Sequence, residues 1–241
     1  MIYLFNIILK IIDYFYQKKI ISFFKNTSNL KYDVIIDIGA HKGETISNFL
    51  KNFTVKNIYS FEASSKTYKD LEINVNKLRK KYNTQIKIFN TAVGNSNQKK
   101  EFNELPDSNS STFNLIDQNS SYFKRKSKIL SFFFKKEFII KKNFVSQIKL
   151  SEFIEINKLK NITILKIDTE GYELEVIKGL NKGIELIKFI YFEHHYDNMI
   201  KKNYTFSDIH DFLLMNGFQR VFKIKMPLRK SFDYIYEQKT V

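Results

Sequence analysis

Four acidic residues each follow an apolar run typical of a buried strand, and they are well placed to do chemistry. They are Asp37, Glu62, Asp168 and Glu193. In a parallel sheet the carboxyl ends of the strands meet at one edge, and open α/β sheets bind their ligands there. Acids at such positions also cap helices, so one alone would be weak evidence. Four of them together predict a binding or catalytic site at this edge.

The turn after the first acid reads Asp37-Ile38-Gly39-Ala40-His41-Lys42-Gly43. Because glycine has no Cβ, Gly39 and Gly43 would let a ligand approach the backbone closely. The turn is neither the glycine-rich pyrophosphate cradle of dinucleotide-binding folds nor a P-loop. A carboxylate at the strand end therefore favours a ligand with a cation and hydroxyl groups over one with phosphates. Glu62, at the end of the second strand, can accept hydrogen bonds from both hydroxyls of a ribose.

The elements that must position these acids alternate between strand and helix from Lys31 onward. Apolar runs predict seven strands, at 34–38, 57–61, 86–93, 162–167, 186–192, 218–224 and 232–237. Periodicity and capping residues predict helices at 44–51, 65–79, 171–180 and 207–216. This alternation implies an α/β fold with a mostly parallel sheet and right-handed crossovers. The closing hairpin implies one antiparallel strand.

Composition limits the classes of protein that fit. The 241 residues are 43% hydrophobic, which predicts one globular α/β domain at 31–241 after an N-terminal helix at 1–30. The absence of cysteine excludes disulfides, thiolate metal sites and cysteine nucleophiles. The net charge of +15 could indicate a nucleic-acid partner. Lysine supplies most of that charge beside abundant Ile, Asn and Phe, as in an AT-rich genome, so we do not expect nucleic acid as the partner.

The first 26 residues are apolar and aromatic, with one polar stripe on a helix. The stripe consists of Asn6, Lys10, Asp13 and Gln17. Lys10 and Asp13 disfavour a membrane-spanning helix, and no signal-peptide pattern is visible. Two alternatives stay open, a helix packed on the domain or on a subunit partner, and a helix in the membrane interface. We expect a cytoplasmic protein, which the second alternative would associate with a membrane.

A basic and aromatic insertion is predicted at about 105–147. Residues 121–144 contain several lysines and one arginine but a single acid, Glu137. Phenylalanines and isoleucines lie between the basic residues. Such a mixture fits an acidic glycan, lipid headgroups or single-stranded nucleic acid. An edge hairpin with solvated lysines is the plainer alternative. Together with residues 1–26, the segment suggests peripheral membrane contact and work on a lipid-linked saccharide.

Several segments resemble, in order over residues 33–195, the motifs of FkbM-type methyltransferases. The glycine turn is similar to the first motif, and the stretch from Leu165 to Glu173, which reads L-K-I-D-T-E-G-Y-E, is the most specific match. The other matching segments are Tyr59–Ala63, Asn90–Gly94, Ser110-Ser111, Leu150–Phe153 and Phe192-Glu193. Ala63 stands where the family usually has proline.

The resemblance implies a Rossmann-like class I methyltransferase sandwich and methyl transfer from S-adenosylmethionine, usually to oxygen. Carried over by position, the cofactor-binding residues are Asp37, Gly39, Ala40 and Gly43 at the amino-acid end, Glu62 at the ribose, and Ala63 and Ala92 beside the adenine. The acceptor is expected to contact the region 95–147 and the C-terminal hairpin.

Methyl transfer to a hydroxyl needs an in-line methyl group and removal of a proton. The catalytic candidates are Asp168, Glu170, Glu193 and His195, expected to cluster beyond the sheet edge. Asp168 or His195 is the predicted base. The plainer alternatives are a surface turn at His194-His195 and a helix-dipole role for Glu170. No metal site is predicted, and Asp168 with Glu193 is the pair that would hold a divalent ion otherwise.

The sequence thus predicts an S-adenosylmethionine-dependent methyltransferase that acts on a hydroxyl of a sugar, glycan or related small molecule. Two alternatives remain. One is a catalytically silent α/β module that holds its partner through the basic insertion. The other is an RNA methyltransferase that uses the same insertion.

Overall fold

The computed structural model describes residues 2–27, 30–106, 111–134 and 139–239. The helices are α1 (Ile2–Asn26), α2 (Glu44–Asn52), α3 (Ser65–Lys81), α4 (Ser121–Phe134), α5 (Leu150–Ile156), α6 (Glu173–Lys178) and α7 (Phe206–Met215). The strands are β1 (Tyr32–Ile38), β2 (Val55–Phe61), β3 (Gln85–Phe89), β4 (Ala92–Gly94), β5 (Gln98–Glu104), β6 (Leu115–Ile116), β7 (Lys141–Lys149), β8 (Ile162–Ile167), β9 (Ile187–His195), β10 (Ile200–Lys201), β11 (Phe218–Lys225) and β12 (Ser231–Gln238).

The main sheet has seven strands in the order β11-β12-β9-β8-β1-β2-β3. Strand β1 pairs in parallel with β2 and β8, and β8 pairs in parallel with β9. Strand β12 runs antiparallel to both of its neighbours, β9 and β11. The central strands are mostly apolar because helices cover both of their faces. The predicted α/β class, with a mostly parallel sheet and one antiparallel strand, is confirmed.

The predicted third strand, 86–93, is wrong in its extent. It divides into β3, in the main sheet, and β4, which pairs with β7 in a separate sheet of order β4-β7-β5. Side chains break the run between them. Asn90 Nδ2 donates to the Glu62 carbonyl at 2.9 Å, and Thr91 Oγ1 donates to the Ser146 carbonyl at 2.8 Å. Such side-chain contacts to the backbone compete with the regular ladder.

The basic and aromatic insertion also differs from its hairpin alternative. Residues 121–134 form α4, whose Phe123 is buried against Met199 and Ile200. After α4, the described part of the insertion continues into strand β7, which pairs antiparallel with β5. The basic side chains of α4 that face solvent are Lys124, Arg125 and Lys128. Residues 135–138, and Ser110 of the serine pair, lie outside the described residues.

Helices α1, α2 and α3 cover one face of the sheet, and α5, α6 and α7 cover the other. The second half of α1 packs on the domain through Tyr16, Ile20, Ile21 and Phe24, which are all buried. The Phe24 ring lies 5.7 Å from that of Phe189 in β9. Burial of each large apolar side chain stabilises the fold by about 1.5–3 kcal/mol. The second half of α1 therefore packs on the domain, which is one of the two predicted alternatives.

Among the helices that the structure describes, none is both long enough and apolar enough to cross a bilayer.

Candidate functional site

A cleft of about 810 Å³ opens at the carboxyl edge of the central strands, within the usual range for small-molecule sites. The predicted residues that line it are Gly39, Ala40, Gly43, Glu62, Ala63, Ala92, Asp168, Glu170 and Glu193. The two predicted residues outside the lining are Asp37 and His195. The strand ends have therefore brought most of the predicted site to one place.

The first glycine of the turn is required because the chain leaving β8 packs directly against it. Gly39 has φ +77°, and a Cβ built on it would lie 1.8 Å from the Asp168 carbonyl oxygen. The Asp168 amide in turn donates to the Ile38 carbonyl at 2.8 Å. The missing Cβ was expected to make room for a ligand, but at Gly39 it makes room for the chain that leaves β8. Gly43, at φ +88°, is the N-cap of α2 and adopts a conformation that glycine allows at little cost.

The backbone amides of this turn are all used within the protein. The acceptors, at 2.8–3.1 Å, are the Phe61 carbonyl for Gly39 and Ala40, the Glu62 carboxylate for His41, the Glu44 carboxylate for Lys42 and the Ala40 carbonyl for Gly43. A phosphate site at a helix start needs amides that point at the ligand. Since an amide has one hydrogen to donate, residues 39–43 keep no amide for a phosphate.

Glu62 is held by two backbone amides at the end of β2. Its Oε2 accepts from His41 N, and its Oε1 accepts from Ser64 N, each at 2.9 Å. Burial raises the pKa of Glu62 to about 7, although both hydrogen bonds act in the opposite direction. A carboxylate oxygen has two acceptor positions. Each oxygen of Glu62 therefore keeps one position, and the pair is suited to two adjacent hydroxyl groups.

Asp37 lies beneath the turn and does not reach the cleft. Side chains alternate along a strand, so Asp37 shares the β1 face of Ile35, which α1 and α2 cover. The residue is 1% exposed, and neither carboxylate oxygen has a hydrogen-bond partner among the described residues. Burial raises the pKa of Asp37 to about 6, against the positive charge of Lys166. The predicted contact of Asp37 with the cofactor is therefore not supported by its position.

Lys166 is a residue of the site that sequence reasoning did not single out. Its buried Nζ lies 2.8 Å from Asp168 Oδ2, and both residues line the cleft. Burial alone would raise the pKa of Asp168, but the Lys166 charge and hydrogen bond lower it overall. A lysine inside an otherwise apolar strand was the available signal, because buried lysines are nearly always paired.

His195, at the end of β9, is buried among carboxylates. Its Nε2 lies 3.1 Å from Glu170 Oε2 and 3.2 Å from Glu193 Oε1, and its Nδ1 lies 3.5 Å from Asp197 Oδ2. Burial alone would lower the pKa of His195, but these carboxylates raise it to about 10. The imidazole is therefore a cation at neutral pH, and the prediction of His195 as the base is not supported.

The surface-turn alternative for His194-His195 is also wrong, because both side chains are buried. Burial, with the charges of Lys202 and His195, lowers the pKa of His194 to about 3. One neutral and one charged imidazole thus stand side by side at the end of β9.

The loop between β8 and α6 fixes Glu170. Glu170 has φ +51°, and its carbonyl accepts from Thr112 Oγ1 at 2.7 Å. The acid that serves the start of α6 is Glu173, whose Oε1 accepts from Gly171 N at 2.7 Å. Left-handed residues at Glu170 and Gly171 also explain why the predicted helix 171–180 is shortened to α6. The Glu170 side chain instead faces His195, and burial raises its pKa above the usual range.

The C-terminal hairpin adds Asp233, a second residue that the sequence did not reveal. Asp233 lies opposite Glu193 in the β12–β9 pairing, and Tyr191 donates its hydroxyl to Asp233 Oδ2 at 2.8 Å. Burial and the Glu193 charge raise the pKa of Asp233. Burial raises the pKa of the Tyr16 hydroxyl in α1, and the nearby charge of Asp233 raises it further. An acid inside the aromatic strand Ser231–Gln238 was the available signal.

A metal centre needs several His, Asp or Glu side chains that converge on one point. Across residues 2–27, 30–106, 111–134 and 139–239, no group of three or more such side chains has the arrangement to hold a metal ion.

Comparison with solved structures identifies methyltransferase folds. The FkbM methyltransferase of Methylobacillus flagellatus KT aligns with a TM-score of 0.54 and 13% identity, over 87% of this chain and 46% of that one. TrmK of M. capricolum, solved with S-adenosyl-homocysteine, aligns at 0.51 and 11%, over 94% and 69%. Magnesium protoporphyrin IX methyltransferase of Synechocystis PCC 6803, solved with SAM, aligns at 0.54 and 9%, over 96% and 82%.

These identities show the fold alone, which is the predicted Rossmann-like class I methyltransferase fold. The chain spans less than half the length of the first of these structures. No curated protein matches it. A family model described as the methyltransferase FkbM domain matches residues 37–220, which is well over half of the chain. The resemblance is therefore confirmed, and the chain belongs to the FkbM methyltransferase domain family.

Proposed function

We propose that this protein is an S-adenosylmethionine-dependent methyltransferase that methylates a hydroxyl of a sugar, glycan or related small molecule. One observation carries the cofactor assignment. The Glu62 carboxylate is fixed by two backbone amides and keeps one acceptor position on each oxygen. It lines a cleft whose glycine turn has no amide left for a phosphate. A ribose without a pyrophosphate fits this combination.

The other lining residues are compatible with the same cofactor. Ala63 and Ala92 line the same cleft as Glu62, and their small side chains leave room for a flat adenine ring. When bound, S-adenosylmethionine supplies an electrophilic methyl group on a sulfonium. Acidic groups at the far end of the cleft suit that positive charge, and they are Asp168, Glu170, Glu193 and Asp233.

The same acidic end supports an acceptor that donates hydrogen bonds. We propose Glu170 as the base in place of Asp168 or His195. Glu170 lines the cleft, and burial raises its pKa to about 8, close enough to neutral pH for a general base to be effective. The proton of the acceptor hydroxyl would pass to Glu170. Asp168 is tied to Lys166, and the charged His195 positions the Glu170 and Glu193 carboxylates.

The test is calorimetry of S-adenosylmethionine binding to the wild-type protein, Glu62→Gln and Glu72→Gln. Glu72 is an exposed acid on α3 and serves as the matched control. We expect micromolar binding, weakened by roughly 10- to 100-fold in Glu62→Gln, since hydrogen bonds to charged groups contribute about 1.5–3 kcal/mol. The control should bind as the wild type does. A well-folded wild type that does not bind would refute the cofactor and favour the silent-module alternative.

The RNA methyltransferase alternative rests on the exposed basic residues of α4, namely Lys124, Arg125 and Lys128. A basic helix alone is weak support, because lysines on a helix are commonly solvated. Binding of RNA by this protein would therefore count against a small-molecule or glycan acceptor.

A further inference from the structure

The second half of helix α1 turns two polar side chains toward the cleft. Asn6, Lys10, Asp13 and Gln17 share one helical face. Asp13 and Gln17 line the cleft, and Asn48 Nδ2 donates to Gln17 Oε1 at 3.4 Å. A surface helix of a soluble domain normally turns its polar face to water instead. The arrangement leaves the apolar side of this helix to be explained.

The opposite side is called here the outer face of α1. Helical spacing in the sequence places Leu4, Ile7, Ile8 and Ile11 on the same side as Phe15, and Tyr14 lies at the edge of this face toward the cleft. Tyr14 is 64% exposed and Phe15 is 58% exposed, and their rings meet edge to face at 5.6 Å. Isolated exposed apolar residues need no explanation, but two adjacent exposed aromatic rings at the end of an apolar stretch of sequence do.

The chemistry of α1 changes along its length in an order suited to a bilayer surface. The apolar positions come first, the two aromatic residues follow, and Lys18 and Lys19 come one turn later and are exposed. Aromatic rings favour the level of the headgroups, and lysines favour anionic lipid. Residues 2–15 extend only about 21 Å as a helix, less than the roughly 30 Å of a hydrocarbon core. The segment fits one leaflet or the interface plane.

We propose that the outer face of α1 docks on an anionic phospholipid bilayer, with Lys18 and Lys19 at the lipid phosphates. Charge complementarity supports this partner, because Lys18 and Lys19 are exposed one turn after the aromatic pair. Asp13 and Tyr14 belong both to α1 and to the cleft lining, so docking brings the cleft mouth to the membrane surface. The acceptor would then be presented from the lipid side. Docking itself needs no cofactor and no methyl transfer.

The experiment is co-sedimentation of the full chain with vesicles of phosphatidylcholine, alone or mixed with phosphatidylglycerol. The test variant carries Ile8→Asp and Phe15→Asp. The control carries Leu214→Asp and Met215→Asp, an equal change at two exposed apolar residues of α7. We expect binding to the anionic vesicles, weakened by added salt and reduced about 10-fold or more in the test variant. The control should bind like the wild type, and melting curves check that both variants fold.

Three results would overturn the proposal. The first is no sedimentation of the wild type with anionic vesicles. The second is equal binding by the test variant. The third is a different partner for the same face. It would appear as a concentration-dependent dimer, or as binding of a single-stranded RNA oligonucleotide, in a wild type that binds no vesicles, and the test variant but not the control would lose it. Calorimetry of S-adenosylmethionine on the same samples keeps the two proposals apart, because a protein that binds the cofactor but no vesicles refutes only the docking.

Discussion

His195 Nε2 lies 3.1 Å from Glu170 Oε2, and this contact exchanges the roles that the sequence suggests for the two residues. Histidine is the usual general base near neutral pH. Here the neighbouring carboxylates keep the imidazole charged, while burial raises the pKa of Glu170. The histidine thus becomes a fixed cation that orients acids, and the acid becomes the candidate base.

We predict that His195 stays protonated to about pH 10 in an NMR titration of the histidine ring signals. Glu170→Gln should lower the pKa of His195 by roughly one unit or more, because it removes a charge in direct contact. His194 should stay neutral down to about pH 3. Glu72→Gln, a change at an exposed acid, should leave both titrations as they are. A His195 signal that titrates near pH 6.5 would contradict the charged cluster.

We predict that Gly39→Ala destabilises the protein severely, with loss of soluble protein or a free-energy cost of about 3 kcal/mol or more. The added methyl would overlap the Asp168 carbonyl, and φ at this position is +77°. Gly183→Ala is the matched control. Its Cβ would approach only the flexible tip of Ile154, at 3.2 Å. Chemical denaturation of both variants measures the difference, and similar stability for the two would show that the turn tolerates a side chain.

We predict that Lys166→Met costs about 2–3 kcal/mol, because it leaves the Asp168 carboxylate without its partner. The value is below the usual 3–5 kcal/mol for a fully buried pair, since the Asp168 side chain is 31% exposed. Adding Asp168→Asn to the same chain should restore part of the loss by removing the unpaired charge. Denaturation of the two single variants and the double variant forms a cycle, and additive losses would argue against a direct interaction.

We predict that S-adenosylmethionine binding weakens below about pH 7, where Glu62 takes up a proton and one acceptor position is lost. The apparent affinity should fall toward a tenfold change per pH unit below that value, and Glu62→Gln should show a flat profile. Calorimetry at several pH values measures both. A wild-type profile as flat as that of the variant would contradict the role of Glu62.

We also predict that the protein without ligand becomes less stable as pH rises from about 5 to 8. The folded-state pKa is raised to about 7 for Glu62 and about 6 for Asp37, from ordinary values of 4.5 and 3.8. In this window the folded chain binds more protons than the unfolded chain, so stability falls with rising pH. The melting temperature should drop by about 2–4 °C for each kcal/mol lost. Asp37→Asn should reduce the slope, and an unchanged slope would exclude Asp37 as a contributor.

The local pattern of the chain was sufficient to predict much of the site. Apolar runs that end in an acid placed Glu62, Asp168 and Glu193 at one edge, because parallel strands bring their carboxyl ends together. The same pattern predicted the sheet and its antiparallel strand. Local reasoning failed where a distant partner decides the conformation, as at Asn90 and Thr91, whose side chains bind the Glu62 and Ser146 carbonyls and divide the predicted strand.

Only the tertiary structure decided the protonation states and the remaining walls of the cleft. The charge on His195 depends on Glu170, Glu193 and Asp197 within 3.5 Å. Asp233 belongs to no motif, and the motif that contains Lys166 does not show its pairing with Asp168. The sequence could show the polar stripe of α1 but not that its Asp13 and Gln17 line the cleft. A pKa depends on burial and on distances between charges. Those distances join residues far apart in the chain, and they exist only after the whole domain has packed.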